Sequence, residues 1–493
     1  MTRPIAKVLV ANRGEIAARI IRSLDRLGIA SVAVHHAVEA KAVHVRMAGE
    51  AVALSGDTPV SAHLDAGQII AAARATGADA IHPGYGFLSE NAGFARAVEA
   101  AGLVFVGPSA DVIALMGDKI SARNFAQAQG VPVAPSVLPT GDIDTFVNAA
   151  ANIGFPLLIK AAAGGGGKGM SIVHRPEDLR EAARLAASEA QRYFGDGRVY
   201  AELYVENPRH IEVQILGDGK GGAIHLWERE CSVQRRFQKI VEEAPAPNLG
   251  ADLRARICES ALRLTKAAKY RNAGTVEYIL GADGRFFFLE MNTRLQVEHP
   301  VTEEITGLDL VATQIAIAEG RGLPLTQDRV TQTGHAIECR ICAEDPDNGF
   351  LPETGAILRL DVPRAPWLRF EAALEAGQKV TSDFDPMLAK LVAHGPTRDE
   401  AVDRAIAALR GLTMIGVGTN ADYLARLLDH PAFRAGALHT GFVAQHGGDL
   451  AAPVPDTRTR DRVLIAAALC DRDFRTLVED VPEPYAAMGG WRN

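Results

Sequence analysis

Two glutamates and the polar run that follows the second carry the strongest chemical signal in this 493-residue sequence. GTVEYIL (274–280) and RFFFLEMN (285–292) read as two strands joined through GADG. A hairpin closing about Ala282-Asp283 sets position 277 against 288 and 275 against 290. Strand residues alternate, so side chains at 286, 288, 290 and 292 share one face, with Glu277 diagonal to Glu290. Their Cβ atoms are then about 7 Å apart or somewhat less. Two carboxylates at that spacing reach one hard cation, and Mg²⁺ takes few protein oxygens, filling its shell with water and phosphate. The bland reading is an exposed hairpin face with scattered acids, but these acids sit among apolar residues, where an unpaired carboxylate is costly. Beyond Glu290 the extended run EMNTRLQVEHP puts Glu290, Asn292, Arg294, Gln296 and Glu298 on one face and Met291, Thr293, Leu295 and Val297 on the other.

Two further segments bear on phosphate. In LLIKAAAGGGGKGMSIV, Gly164 to Gly167 let backbone N–H groups close on an anion, with Lys160 ending the preceding strand and Lys168 adding charge. Gly169 follows Lys168 where a Walker A loop has Ser or Thr, and SIV reads as a strand, so the unit suits a flap closing over phosphates. In HLWERECSVQRRFQKIVEEAPAP, Arg235, Arg236 and Lys239 form a basic cluster, a weak signal because most basic runs are solvated.

These residues need elements to hold them. From 5 to 115, IAKVLVA, SVAVHH, ADAIHPG and LVFVGP alternate with amphipathic segments, and Ile16, Ile20, Leu24 and Leu27 mark one helical face. That is βαβ material with a parallel sheet. ANRGE has one glycine where a dinucleotide fingerprint has three, and reads as a structural turn. The Pro-rich VPVAPSVLPTGD (131–142) marks a boundary, alternating strands run on to about 300, and a mixed region follows at about 335–446. APVPDTRTRDR, a helix at VLIAAALC and a loose EPYAAMGGWRN end the sequence.

A net charge of -8 argues against nucleic acid as a partner, and no uncharged run of about 18 residues offers a membrane span. The N-terminal segment lacks signal-peptide organisation, and five cysteines in this length suit a reducing, cytoplasmic setting. Cys339 and Cys342 lie in the strand-like HAIECRICAE, where an odd separation points the sulfurs apart.

The order MGDK, GGGGKGM, QRRFQKIVEEAP, GTVEYIL, EMNTRLQVEHPVTE and ECRICAED, with ANRGEIA and HPGYGFLSEN before them, closely resembles biotin carboxylase of the ATP-grasp superfamily over about residues 3–446. The resemblance implies an α/β fold: an N-terminal doubly wound, Rossmann-like domain (1–115), an ATP-grasp domain (117–325) with a mobile glycine-rich lid at about 135–204, and a C-terminal α+β domain (335–446). A tail, 447–493, is similar to the start of a carrier-linking region in longer acyl-CoA carboxylase α subunits. The implied reaction makes carboxybiotin from ATP, bicarbonate and biotin on a carrier protein. Another ATP-grasp carboxylate or carbamoyl ligase and a non-catalytic paralogue are the alternatives.

By the same resemblance, Lys119, Lys160, Gly165, Gly166, Gly167, Met170, Glu202, Tyr204, Val205, His210, Gln234, Glu277, Ile279 and Glu290 bind ATP. Glu277, Glu290 and Asn292 hold two Mg²⁺ or Mn²⁺ ions. Lys239, Arg294, Gln296, Val297 and Glu298 hold bicarbonate, with Glu298 as base, and Arg340 meets biotin. Catalysis is expected from Glu298, Arg340, Lys239 and Arg294. Expected partners are a biotin carboxyl carrier protein or domain, a carboxyltransferase subunit and a second copy of the chain. No methionine precedes a lysine, so the Met-Lys-Met biotin site is absent and the carrier is expected on a separate chain or a missing portion. Three departures stand out. Phe237 replaces a polar residue in QRRxQK, HHAVEAKAVH replaces a Ser/Asp-bearing loop, and Arg22 and Arg26, one turn apart on the first helix, are expected to repel at a dimer contact.

Overall fold

The computed structural model describes residues 4–138, 142–161, 170–454 and 456–470. The chain divides into two units, Met1–Leu450 and Ala451–Asn493; the described part of the second is a helix, Thr457–Cys470, covering the expected VLIAAALC segment.

The expected βαβ material folds as a five-stranded parallel sheet, β1 (Lys7–Val10), β2 (Ala30–His35), β3 (Glu50–Ala53), β4 (Ala80–His82) and β5 (Val104–Phe105), in the order β3-β2-β1-β4-β5. This is the doubly wound arrangement. The sequence reading missed β3 because EAVA is mostly exposed and offers no apolar run. Ile16, Ile20 and Leu24 of the helix Gly14–Leu27 are buried as expected, whereas Leu27 is 40% exposed, in the last turn before the left-handed Gly28. ANRGE is a structural turn: Asn12 Nδ2 donates to the carbonyls of Pro83 and Tyr85, each at 2.7 Å, tying it to HPGYG. Gly84 has φ +64°, and a Cβ there would lie 2.8 Å from Asn12 Nδ2, so glycine is required. HHAVEAKAVH keeps an acid in play, since Glu39 pairs with Arg13 and lies 2.9 Å from His63 Nε2.

A smaller antiparallel sheet, β6 (Ser136–Val137), β7 (Leu157–Ala161), β8 (Met170–Val173) and β9 (Val199–Leu203), is ordered β6-β9-β7-β8. β7 and β8 pair directly, Lys160 against Met170, so the strand–loop–strand reading holds for its flanks. Gly164 to Gly167 and Lys168 lie outside the described residues.

The largest sheet has eight strands, beside three two-stranded sheets among the described residues. It runs β14 (Phe286–Asn292), β13 (Arg271–Leu280), β10 (Arg209–Asp218), β11 (Ala223–Arg235), β12 (Gln238–Ala244), β15 (His335–Cys342), then the strands Met387–Gly395 and Leu368–Ala372. The β12–β15 pairing, Glu242 opposite Glu338, makes the ATP-grasp and C-terminal regions continuous. Cys339 and Cys342 are free, buried thiols.

The first helix docks by ion pairs rather than repelling. Arg22 pairs with Glu371, and Arg26 lies 2.6 Å from Asp309, which corrects the expected repulsion: each arginine has its own acid. Burial alone would raise the Glu371 carboxyl, but the charges of Arg369, Arg22, Lys390 and Arg19 hold it at about 2. A lowered carboxyl contributes stability that is full above its unfolded value of 4.5 and lost as pH falls toward 2. We expect Glu371→Gln to lower the unfolding midpoint at neutral pH, by the equivalent of roughly 3 kcal/mol, and to flatten its fall between pH 4.5 and 2. Parallel melting curves for the two proteins through that window would contradict this.

Candidate functional site

The site is a row of charged side chains lying across the large sheet. Strand register sets Arg229 opposite Glu212, Glu212 opposite Glu277, and Glu277 opposite Glu290, across β11, β10, β13 and β14. The last pairing differs from the expected one. The turn is a five-residue loop, with Leu280 opposite Phe286, and a β-bulge places two residues, Leu289 and Glu290, against the step from Tyr278 to Glu277. Phe286 and Phe288 therefore share the core face with Tyr278, while Glu290 and Asn292 share the site face with Glu277. The expected common face for 286, 288, 290 and 292 is overturned by that one extra residue. Directly paired Glu277 and Glu290 replace the expected diagonal.

The extended run also ends early. β14 stops at Asn292, residues 293–298 form a loop, and a helix starts at His299. The expected side chains still converge, because the loop folds back onto the sheet. Asn292 Nδ2 and Gln296 Nε2 donate to Glu277 Oε1 at 2.7 and 2.6 Å. Arg294 donates to Asn292 Oδ1 at 2.9 Å and to Glu90 at 2.8 Å. Lys239 Nζ reaches Glu212 (2.5 Å), Glu298 (2.6 Å) and Glu277 (3.1 Å). Arg340 bridges Glu298 at 2.9 Å and Glu242 at 2.6 Å. Gln234 Nε2 donates to His210 Nδ1 at 3.0 Å, leaving Nε2–H to face Glu277 Oε2 at 2.9 Å.

Arg229 was not foreseen. It is fully buried and uses all five of its N–H donors: Nε to Glu212, one terminal nitrogen to Gln214 and Thr302, the other to Thr275 and Gln296. By fixing the Gln296 carbonyl oxygen it aims the Gln296 amide at Glu277. Glu212, Glu90, Glu242 and Lys390 were missed too. The alternation His210, Glu212, Gln214 in β10 was the available signal for Glu212; the others depend on contacts remote in sequence.

Electrostatics follows from this packing. Burial disfavours the ionised Glu298, yet Lys239, Arg340 and Arg229 override it and hold the carboxyl well below the usual range. The same contest leaves Glu277 low, with Lys239 and His210 opposing burial. Burial and the Glu277 charge raise Glu290, opposed by Lys119. Burial lowers the proton affinity of Lys239, but Glu212, Glu277 and Glu298 carry it well above the ordinary value.

Several of the expected nucleotide contacts lie on or beside the smaller sheet. Lys160 on β7 pairs with Glu202 on β9, and a side chain at Gly281 would touch Val205. Tyr204 is anchored by its N–H to Pro156, and Ile279 lies opposite His210 on the site face. The expected basic cluster comes apart. Arg235 pairs with Glu344 and lies over the Phe350 ring, Lys239 turns inward, and Arg236-Phe237 is a two-residue hairpin turn with φ +49° and +67°. Phe237 stands 66% exposed at its tip.

Glu290 fits a hard divalent ion, since it faces Glu277 and no hydrogen bond or ion pair engages it among the described residues; Glu277 fits once Lys239, Asn292, Gln296 and His210 give up its oxygens. Asn292 fits less directly, because Arg294 occupies its carbonyl oxygen.

Three family models match in order: the biotin carboxylase N-terminal domain at residues 4–113, the carbamoyl-phosphate synthase L chain ATP-binding domain at 118–326, and the biotin carboxylase C-terminal domain at 338–445. The chain belongs to the biotin carboxylase family. It is a ligase that carboxylates biotin in an ATP-dependent reaction. The biotin carboxylase of Halalkalibacterium halodurans is 49% identical over 442 residues, covering 89% of this chain and 97% of that protein. The mitochondrial methylcrotonoyl-CoA carboxylase subunit alpha of Dictyostelium discoideum is 44% identical over 494 residues, 99% of this chain and 71% of that protein. Among solved structures, the biotin carboxylase domain dimer of Hydrogenobacter thermophilus 2-oxoglutarate carboxylase, with MgADP, ADP and bicarbonate, superposes with a TM-score of 0.88 at 43% identity, covering 92% of this chain and 100% of that one. The Campylobacter jejuni biotin carboxylase–β,γ-ATP complex gives 0.87 at 40% identity, covering 90% of this chain and 99% of that one. Among the described residues no helix is long and apolar enough to cross a membrane.

Proposed function

We propose that the charged row couples ATP cleavage to bicarbonate activation, and that the product is carboxybiotin on a carrier supplied by another chain or domain. The observation that carries this reading is Lys239, whose ammonium lies 3.1 Å from Glu277 and 2.6 Å from Glu298 and so joins the phosphate end of the site to the bicarbonate end. ATP is held by Lys119, Lys160, Met170, Glu202, Tyr204, Val205, His210, Gln234 and Ile279. Glu277 and Glu290, with Asn292 once Arg294 releases it, hold Mg²⁺ or Mn²⁺. Bound there, the ions neutralise charge on the phosphates during transfer.

Bicarbonate enters between Lys239, Arg294, Gln296 and the backbone of Val297. Its charge draws the cations from Glu298, whose proton affinity rises toward that of an effective base. Glu298 takes the bicarbonate proton, the freed oxygen bonds to the γ-phosphorus, and the bond to ADP breaks. The carboxyphosphate formed loses its C–O bond to give CO₂ and phosphate. Phosphate removes the N1′ proton of biotin, N1′ bonds to CO₂, and Arg340 stabilises the negative ureido oxygen.

The reading extends to assembly. A carrier bearing biotin, a carboxyltransferase that passes the carboxyl group to an acyl-CoA, a homodimer and a cytoplasmic setting complete the proposal. The alignment of the methylcrotonoyl-CoA carboxylase subunit over 99% of the chain, against 89% for the biotin carboxylase, supports residues 447–493 as a carrier-linking region. Phosphate release from MgATP is the test: it should require both bicarbonate and free biotin. Equal turnover with either omitted would contradict the reading.

A further inference from the structure

Behind Arg340 lies a buried acid pair that the proposed reaction does not use. Glu242 on β12 and Glu338 on β15 are directly opposite each other, and both are fully buried. Cross-strand partners lie on the same face about 5 Å apart at Cβ. Glu242 accepts from Arg340 through one oxygen, while its other oxygen and both oxygens of Glu338 have no hydrogen-bond partner among the described residues. Arg340 in turn faces Lys390 across the next pairing. Lys390 is fully buried, lies 3.2 Å from Glu15, and donates to the Val297 carbonyl at 2.8 Å.

The groups facing the pair come from every neighbouring element. They are Cys231 on β11, Lys239 on β12, Cys339 and Arg340 on β15, Lys390 on Met387–Gly395 and Glu298 on the 293–298 loop, with Glu15, Glu371 and His299 reaching the cluster through Lys390. Lys239 is already committed to Glu212, Glu277 and Glu298. Glu15, Glu242 and Glu338 are thus left with Arg340 and Lys390, and Glu298 draws on Arg340 as well. Two directly opposed, buried carboxylates with three unpartnered oxygens are too costly to keep fully ionised. A shared proton relieves them. Burial raises Glu242 to about 7 and carries Glu338 well above the usual carboxylate range, with Arg340 and Lys390 opposing.

We propose that Glu242 and Glu338 share one proton at neutral pH and thereby hold Arg340 extended toward Glu298, making Glu338 a positioning residue for biotin carboxylation. This rests on Arg340 being the biotin contact. When the pair loses its proton, its second negative charge draws the guanidinium back and weakens the biotin step, while nucleotide binding is left alone. Glu338→Gln keeps the shape and fixes the pair at a single charge.

The test follows two readouts. In the infrared spectrum at neutral pH, the unmodified protein should show the carbonyl stretch of a buried protonated carboxyl, and Glu338→Gln should lack it. In kinetics, the alkaline fall of kcat/KM for biotin should move up by about one pH unit or more in Glu338→Gln, with KM for ATP within about twofold. Absence of the protonated-carboxyl band overturns the proposal and needs no activity. An unshifted alkaline limb, or equal changes in the ATP and biotin constants, overturns the positioning role. If the unmodified protein turns over ATP without biotin dependence, the biotin reading fails while the shared proton is still decided by the spectrum.

Discussion

Replacing Glu298 with Gln lowers bicarbonate-dependent phosphate release by at least about 100-fold, the usual scale for losing a general base, while MgATP still binds. The reason is specific to this geometry. Glu298 is the only carboxylate among the described residues that touches both Lys239 (2.6 Å) and Arg340 (2.9 Å), the residues proposed to meet bicarbonate and biotin. Glutamine preserves size and one acceptor but cannot take a proton. Removing the charge also leaves Lys239 paired with Glu212 and Glu277, so the lysine should stay in place. The loss should therefore fall on kcat, with KM for ATP nearly unchanged. A variant within about tenfold of the parent in kcat would assign the base elsewhere.

Arg229→Met should be the most destabilising single change in the site. Its guanidinium is fully buried and makes five hydrogen bonds, and its loss strands Glu212 in the sheet with only Lys239 for charge balance. Removing one partner of a buried ion pair costs about 3–5 kcal/mol. Gln296 also loses the contact that orients it, so activity should fall further than stability alone explains. Arg229→Lys keeps the charge but has three donors for five acceptors, and should recover part of the stability and little of the activity. Denaturant unfolding of the three proteins checks this. A midpoint for Arg229→Met matching the parent would show that the hub is not structural.

How much of this was legible in the sequence depends on what each feature requires. Apolar runs between amphipathic segments marked β1, β2, β4 and β5, and the apolar pair joined through GADG marked the strands bearing Glu277 and Glu290. The face of Phe286 and Phe288 was misread because a bulge at Leu289 has no signature in FFFLEMN, although it decides which side chains join the core. The polar residues of the run Glu290–Glu298 were expected along one strand face and meet instead through a loop. Arg229 and Lys390 escaped because a charged residue in an apolar strand shows its purpose only with its partners, Glu212 and Gln296 for one, Glu15 and Val297 for the other. Arg22 and Arg26 were misjudged on local spacing for the same reason, since their acids, Glu371 and Asp309, lie more than 280 residues away.

The central claim is that ATP and bicarbonate react with each other within the row from Glu290 to Glu298. Bicarbonate labelled with ¹⁸O tests it most directly. If a bicarbonate oxygen attacks the γ-phosphorus and the carboxyphosphate C–O bond then breaks, each phosphate released in the presence of biotin carries one oxygen from bicarbonate. Phosphate whose added oxygen comes from water alone would contradict the account, since bicarbonate would then not have met the γ-phosphoryl group.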